Sequence, residues 1–116
     1  MRLVYLETPY AAATPEGIAA NEAYARACMA DCLRRGEAPL ASHLLYTQQG
    51  ILDDTISEER ALGMEAGFAW ATKSGAASVF YVDRGWSRGM LIGEVRAYKD
   101  GRAFESRHLP REEQTP

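Results

Sequence analysis

The sequence predicts an α/β fold, a short parallel sheet of about four strands with helices on both faces. Short β-rich runs alternate with helical patterns in the order β-α-β-loop-α-β-α-β, and no repeat or low-complexity segment competes with that order. A chain of 116 residues, 47% of them hydrophobic, has material for one core and too little for two. One domain is therefore expected over residues 1–109, with "PREEQTP", residues 110–116, as a flexible solvated tail.

The first strand is "RLVYLE", residues 2–7, which stops where Pro9 removes the backbone donor a continuing strand needs. Thr14-Pro15-Glu16 then reads as an N-cap, a proline at the first helical position and an acid near the positive helix end. Ile18, Ala25, Cys28, Met29, Cys32 and Leu33 share one broad face of that helix, and Arg34, Arg35 and Gly36 end it. "APLAS", residues 38–42, is a short strand whose Pro39 suits only a sheet edge or a strand start. Residues 43–54 carry no clear period. Thr55 with Glu58 forms a capping-box pattern, opening a helix that runs to about Ser74 before Gly75. "ASVFYVD", residues 77–83, is apolar enough to be a strand buried on both faces. The last helix is expected from about Ser87 to Asp100, Gly101 breaks it, and "AFESRHL" reads as the final strand.

Thirteen Lys and Arg against sixteen Asp and Glu give a net charge of −3, with the two signs interspersed. Duplex nucleic acid, which is gripped by clustered cations, is not an expected partner. The N-terminal apolar run is too short for a signal peptide, and no run approaches the ~18 apolar residues of a membrane span, so a cytoplasmic location is expected. Cys28 and Cys32 read as reduced core residues; His43 and His108 lie in other segments without paired spacing. Neither a metal nor a cofactor is called for by these motifs.

In a parallel sheet of this kind a ligand sits at the carboxyl ends of the strands, near the point where strand order reverses. That places "ETPYAA", "SHLLYTQQG" and "DRGWSRGM" on one rim. Gly85, Ser87 and Gly89 precede a helix N-terminus, where unpaired N–H groups favour a phosphate or carboxylate, although any strand-to-helix turn wants the same residues. "HLLYTQQGILDD" gathers His43, Tyr46, Gln48, Gln49, Asp53 and Asp54 on one connection. The adjacent aspartates read as a capping feature before they read as a cation site. Thr8, Pro9 and Tyr10 follow the first strand directly, so Tyr10 is placed to bond a ligand, to orient a carboxylate or to cover the sheet end. Phe68 and Trp70 read as packing, and Trp86 in the turn as a ring available for stacking.

Taken together, "TPYAA", "APLASHLLYTQQGILDDTISEERALGMEAG", "SRGM" and "GRAFESRHL" resemble a small phage-type family grouped with the nucleoside 2-deoxyribosyltransferase-like superfamily, which includes nucleotide N-glycosidases. The resemblance implies a flavodoxin-like three-layer sandwich, often homo-oligomeric, that binds a nucleoside or nucleotide at the strand ends. It further implies a glutamate that attacks the anomeric carbon, so that the base departs and water or a second base resolves the covalent intermediate. Carried onto this chain, Glu94 is the expected nucleophile, Asp83 the acid and Tyr10 the orienter. Ser87 and Gly89 would hold phosphate, His43, Tyr46, Gln48 and Asp54 would read base or sugar, and Thr8, Pro9, Trp86 and Met90 complete the expected binding surface. The spacing departs from the family's in one respect. Its nucleophile follows the glycine of the serine turn by four residues, whereas Glu94 follows Gly89 by five, about 100° further round a helix. Ile92 or Gly93 occupies the expected region, Gly67 lies closest to the spacing of a second family acid, and Glu7 and Asp83 are the other rim acids. Two readings follow: an enzyme acting at the N-glycosidic bond, or a protein that binds or sequesters a nucleotide-derived small molecule without turnover.

Overall fold

Residues 1–111 are described by a computed structural model; residues 112–116 of the expected tail lie outside the described residues. The elements are β1 (Arg2–Glu7), α1 (Pro15–Arg34), β2 (Glu37–Leu40), α2 (Ser42–Leu45), α3 (Ser57–Ser74), β3 (Ala77–Tyr81), α4 (Arg88–Asp100) and β4 (Phe104–Arg107). Among the described residues the sheet has four strands, all parallel, in the order β2-β1-β3-β4. The chain steps from β1 outward to β2, then returns to the far side of β1 and continues to β4. Strand order therefore reverses between β1 and β3, and a crevice opens at their carboxyl ends.

Side-chain alternation sends each strand's residues to two different cores. Val4, Leu6, Val79 and Tyr81 pack with Tyr24, Cys28 and Cys32 of α1 on one face. Tyr5 packs with Phe68 and Ala71 of α3 on the other, where α4 also lies with Met90, Gly93 and Ala97 buried. The layers are helix, sheet, helices, which is the predicted α/β class and a flavodoxin-like three-layer arrangement. Both cysteines are buried free thiols whose pKa burial pushes up, so they serve as packing. Among the described residues no helix is long and apolar enough to cross a membrane.

Helix ends follow the expected chemistry at α1 and α4. Thr14 accepts a hydrogen bond from the Gly17 N–H with Pro15 in the first turn, and Gly101 closes α4 in the left-handed region at φ 69°. Pro39 is accommodated because β2 is an edge strand. The start of α3 corrects the predicted capping box. The N-cap residue is Ile56, with no side-chain cap, because Asp53 captures Thr55 first: the Thr55 N–H and hydroxyl both donate to Asp53 Oδ1, at 3.0 and 2.6 Å. Glu59, rather than Glu58, bonds back, accepting from the Asp53 N–H at 2.9 Å. The expected strand over residues 38–42 ends at Leu40, and α2 begins two residues later.

Two close approaches fix the sheet and its helices. Arg107 of β4 reaches beneath the sheet to Glu37 of β2, the opposite edge, in a bidentate pair with both N···O distances 2.6 Å and both side chains buried. Tyr81 joins it, donating to Asp31 at 2.6 Å. On the other face, Tyr5 Oη and Ser42 Oγ hydrogen-bond at 2.6 Å directly under Gly67. A Cβ at Gly67 would lie 2.2 Å from the phenol oxygen and 2.5 Å from the serine oxygen. Gly67→Ala is therefore expected to destabilise the fold by about 1–3 kcal/mol through overpacking, against about 1 kcal/mol regained in helix propensity. Urea unfolding would read the net effect, and an unshifted midpoint would mean that α3 slides aside at a cost no larger than the helix propensity regained.

Candidate active site

The end of β1 and the start of α4 build the crevice. Glu7 is the last residue of β1 and shares the face of Tyr5, so its carboxyl points under α4 rather than toward α1. Ser87 caps α4 in extended geometry, its Oγ accepting from the Met90 N–H at 3.2 Å, which leaves the hydroxyl proton available to a ligand. One turn further on, α4 passes directly over the carboxyl. A Cβ at Gly93 would stand 1.7 Å from Glu7 Oε2 and 2.6 Å from its Cδ. Glu7 thus occupies the volume that any side chain at position 93 would need. Oε2 is enclosed and has no hydrogen-bond partner among the described residues. Loss of solvation pushes the Glu7 pKa up to about 8, with the Arg102 guanidinium pulling weakly the other way. At neutral pH this carboxyl holds its proton.

A cavity of about 490 Å³ opens from this carboxyl. Glu7 and Tyr10 line it from the β1 end, His43 from α2, Arg60 from α3, Asp54 from the preceding loop, and Ser87 and Gly89 from the tip of α4. His43 Nε2 lies 2.6 Å from Thr8 Oγ1. Desolvation pushes the His43 pKa down to about 4, so the ring is neutral at physiological pH. Tyr10 packs edge-on against it, with ring centroids 5.8 Å apart. Tyr10 is itself anchored to α1, its hydroxyl donating to Glu22 at 3.3 Å and its carbonyl accepting from Asn21 at 2.9 Å. Asp54 accepts from Arg60 Nε and Nη2 at 3.3 and 3.1 Å. A proton-bearing acid, a neutral imidazole, a guanidinium–carboxylate pair and a helix N-terminus therefore face one volume. That set can hold a polar small molecule, meet an anion at one end and deliver a proton at the other.

A family model described as "Domain of unknown function (DUF7768)" matches residues 2–107. The chain belongs to the DUF7768 family. No curated protein and no solved structure matches it. The DUF7768 match runs from the first residue of β1 to the last of β4 and so contains the whole sheet and every residue facing the Glu7 carboxyl.

Within this DUF7768 chain the structure brings together Thr8, Tyr10, His43, Asp54, Ser87, Gly89 and Met90 on the cavity. Other predicted residues lie elsewhere. Asp83 follows Tyr81 by two and shares its alternation, so it turns to the α1 face. There it accepts from Tyr24 Oη at 2.5 Å and from the Leu109 N–H at 3.1 Å, a clasp between α1, β3 and the segment after β4. Glu94, one helical position beyond Gly93, is partly buried on α4 but does not line the cavity. Trp86 covers Phe80, with ring centroids 5.0 Å apart. Gln48 donates to the Leu45 carbonyl at 3.0 Å and faces a separate depression, Tyr46 lines a small void beside His43, and Pro9 is off the cavity wall. What the sequence does not single out is the seat itself: Tyr5, Ser42, Arg60, and the pairing of Glu7 with Gly93. The available signal was strand parity, since Val4 and Leu6 mark one face and leave Tyr5 and Glu7 on the other.

Proposed function

We propose that this protein acts at the N-glycosidic bond of a nucleoside or nucleotide, with Glu7 as the reactive carboxyl. The observation that carries the reading is the enclosed, unpartnered Glu7 oxygen lodged against Gly93 at the switch point of the sheet. Ile92 or Gly93 occupies the region where the resembling family keeps its acid on the helix, and Gly67 lies closest to the position of the second. Here groups from other elements fill both spaces, Glu7 at one and the Tyr5–Ser42 pair at the other. The chemistry is thereby moved from the helices to the strand end. In its protonated form Glu7 donates to a nitrogen of the departing base while the C–N electron pair leaves with that base. The carboxylate left behind stabilises the oxocarbenium-like sugar, and water adds to the anomeric carbon and returns a proton to Glu7. A phosphate, where present, sits on the α4 N-terminus at Ser87 and Gly89.

Incubation with nucleosides and nucleoside monophosphates, following free base by chromatography, tests the reading. Base release that falls as pH rises through about 8 identifies the protonated carboxyl. Release that climbs over the same range makes ionised Glu7 a nucleophile, and a retained intact ligand without any release replaces the enzyme with a binding protein. Ser87→Glu is expected to weaken binding of a monophosphate by on the order of tenfold, because the new charge opposes the phosphate at the helix end. Unchanged affinity in calorimetry would take the α4 terminus out of the site. Self-association is part of the same reading: Leu91, Val95 and Tyr98 leave an apolar stripe exposed along α4. Light scattering is expected to give a mass above that of one chain, and a monomer at high concentration would remove this element.

A further inference from the structure

A second and larger chamber, of about 830 Å³, lies outside the Glu7 cavity, between the loop after β1 and the loop that precedes α3. The two chambers have Tyr10, Ala11, Asp54, Arg60 and Met64 in both linings, so they adjoin as the two halves of a bipartite cleft. Each half exceeds the lower volume bound of ordinary small-molecule pockets. The outer chamber's wall is a pinned loop. The Leu52 N–H donates to the Tyr46 carbonyl at 3.0 Å, the Ile51 N–H to the Gln48 carbonyl at 3.0 Å, and the Asp53 N–H to Glu59 at 2.9 Å.

The chemistry of the halves differs. The inner one offers the α4 N-terminus and Glu7. The outer one combines apolar surface from Ile18, Leu52 and Ala61 with acceptor groups on Asp53 and Glu59. Its carboxylates repel a phosphate but suit a ring that carries N–H donors. Arg60, at the junction, engages Asp54 through Nε and Nη2 and presents its remaining guanidinium donors to a linking phosphate.

We infer that the outer chamber is a second ligand subsite, and that the cleft takes a two-ring ligand: two nucleoside halves joined through phosphate, the bridge at Arg60 and an amine-bearing base in the outer chamber. This rests on the glycosidic reading for the inner half, and it narrows the substrate class from a nucleotide to a dinucleotide. One ligand filling both halves binds far more tightly than either half alone, because the second contact is made without a second loss of free motion.

The test is calorimetry on the full chain with Glu7→Gln in place to prevent turnover, using NAD⁺ as the pyrophosphate-linked dinucleotide and AMP and nicotinamide mononucleotide as its halves. The dinucleotide is expected to bind at least about 100-fold more tightly than the better half. Ala61→Trp, which fills the outer chamber from the surface of α3, should reduce that affinity to the level of nicotinamide mononucleotide and leave the binding of nicotinamide mononucleotide, which needs only the inner chamber, unchanged. Ile51→Ala, which thins the outer wall without adding bulk, should lower the dinucleotide alone by a smaller factor. A dinucleotide no tighter than its better half, with both variants silent, overturns the second subsite and leaves the glycosidic reading standing. If none of the three probes binds, the nucleotide reading of the inner chamber fails and the inference fails with it.

Discussion

Glu7→Gln should lower base release by about 10²- to 10⁴-fold while leaving ligand binding and the fold in place. The amide keeps the shape of the carboxyl and so keeps its fit against Gly93, but it has no acidic proton to give. The same substitution should change how stability depends on pH. The folded-state pKa of Glu7, about 8, lies above its ordinary value of 4.5, so the native protein holds this proton more tightly than the unfolded chain does. The contribution is complete below about pH 4.5 and is lost as pH rises through about 8. His43 works in the opposite direction, because its folded pKa of about 4 lies below its ordinary 6.5. The unfolded chain takes up that proton first, and stability is lost as pH falls from about 6.5 toward 4. The two slopes oppose each other between about pH 4.5 and 6.5, and Glu7 acts alone above that range. Thermal melts of the parent should therefore decline from about pH 6.5 to 8, and those of Glu7→Gln should not. Parallel profiles would mean that Glu7 is already ionised in the fold, and undiminished base release would remove it from the reaction.

Gly93→Ala is expected to cost about 10²-fold in turnover, the effect of displacing a reacting group by an ångström or more. The new methyl cannot share space with a carboxyl oxygen 1.7 Å away, so either Glu7 leaves its seat or α4 lifts from the sheet. Both outcomes destabilise, by about 1–3 kcal/mol from overpacking, with about 1 kcal/mol regained from alanine's helix propensity. The contact can be isolated by repeating the substitution in a Glu7→Ala background, where the seat is vacant. The stability penalty should then largely vanish, a coupling of about 0.5–3 kcal/mol between positions 7 and 93. Additive effects would show that α4 yields on its own account and that the glycine is not there for the glutamate.

Much of the framework was legible in the chain because its signals are local. Thr14-Pro15 and Gly101 mark helix ends whose caps form as expected, and Pro39 announces an edge strand. The start of α3 departs from its capping-box pattern for an equally local reason: Asp53 offers Thr55 a nearer acceptor than the helix does. The candidate site was legible as a rim and not as an arrangement. Thr8, His43, Asp54 and Ser87 do converge, since they follow strand ends or precede a helix. Which acid enters the crevice depends on parity along the strand and on where each helix lies. Asp83 turns to α1 and Glu7 to α4 for that reason; the parity is local, but the position of each helix over the sheet is not. The Glu7–Gly93 contact joins β1 to α4 across most of the chain, and a glycine carries no mark of what it makes room for.

The pair between Glu37 and Arg107 has a consequence for how the chain is made. During synthesis β1 and β2 emerge early, whereas the guanidinium that Glu37 requires arrives 70 residues later, at the end of β4. Arg2 offers that carboxylate only a looser contact, at 3.4 Å with its side chain half exposed. Burying a carboxylate without its full partner costs a few kcal/mol, so a nascent sheet that closes its first edge before Arg107 arrives carries that penalty. Glu37 thereby acts as a check on completeness: a chain cut short before Arg107 is penalised at the opposite edge of the sheet, far from the break.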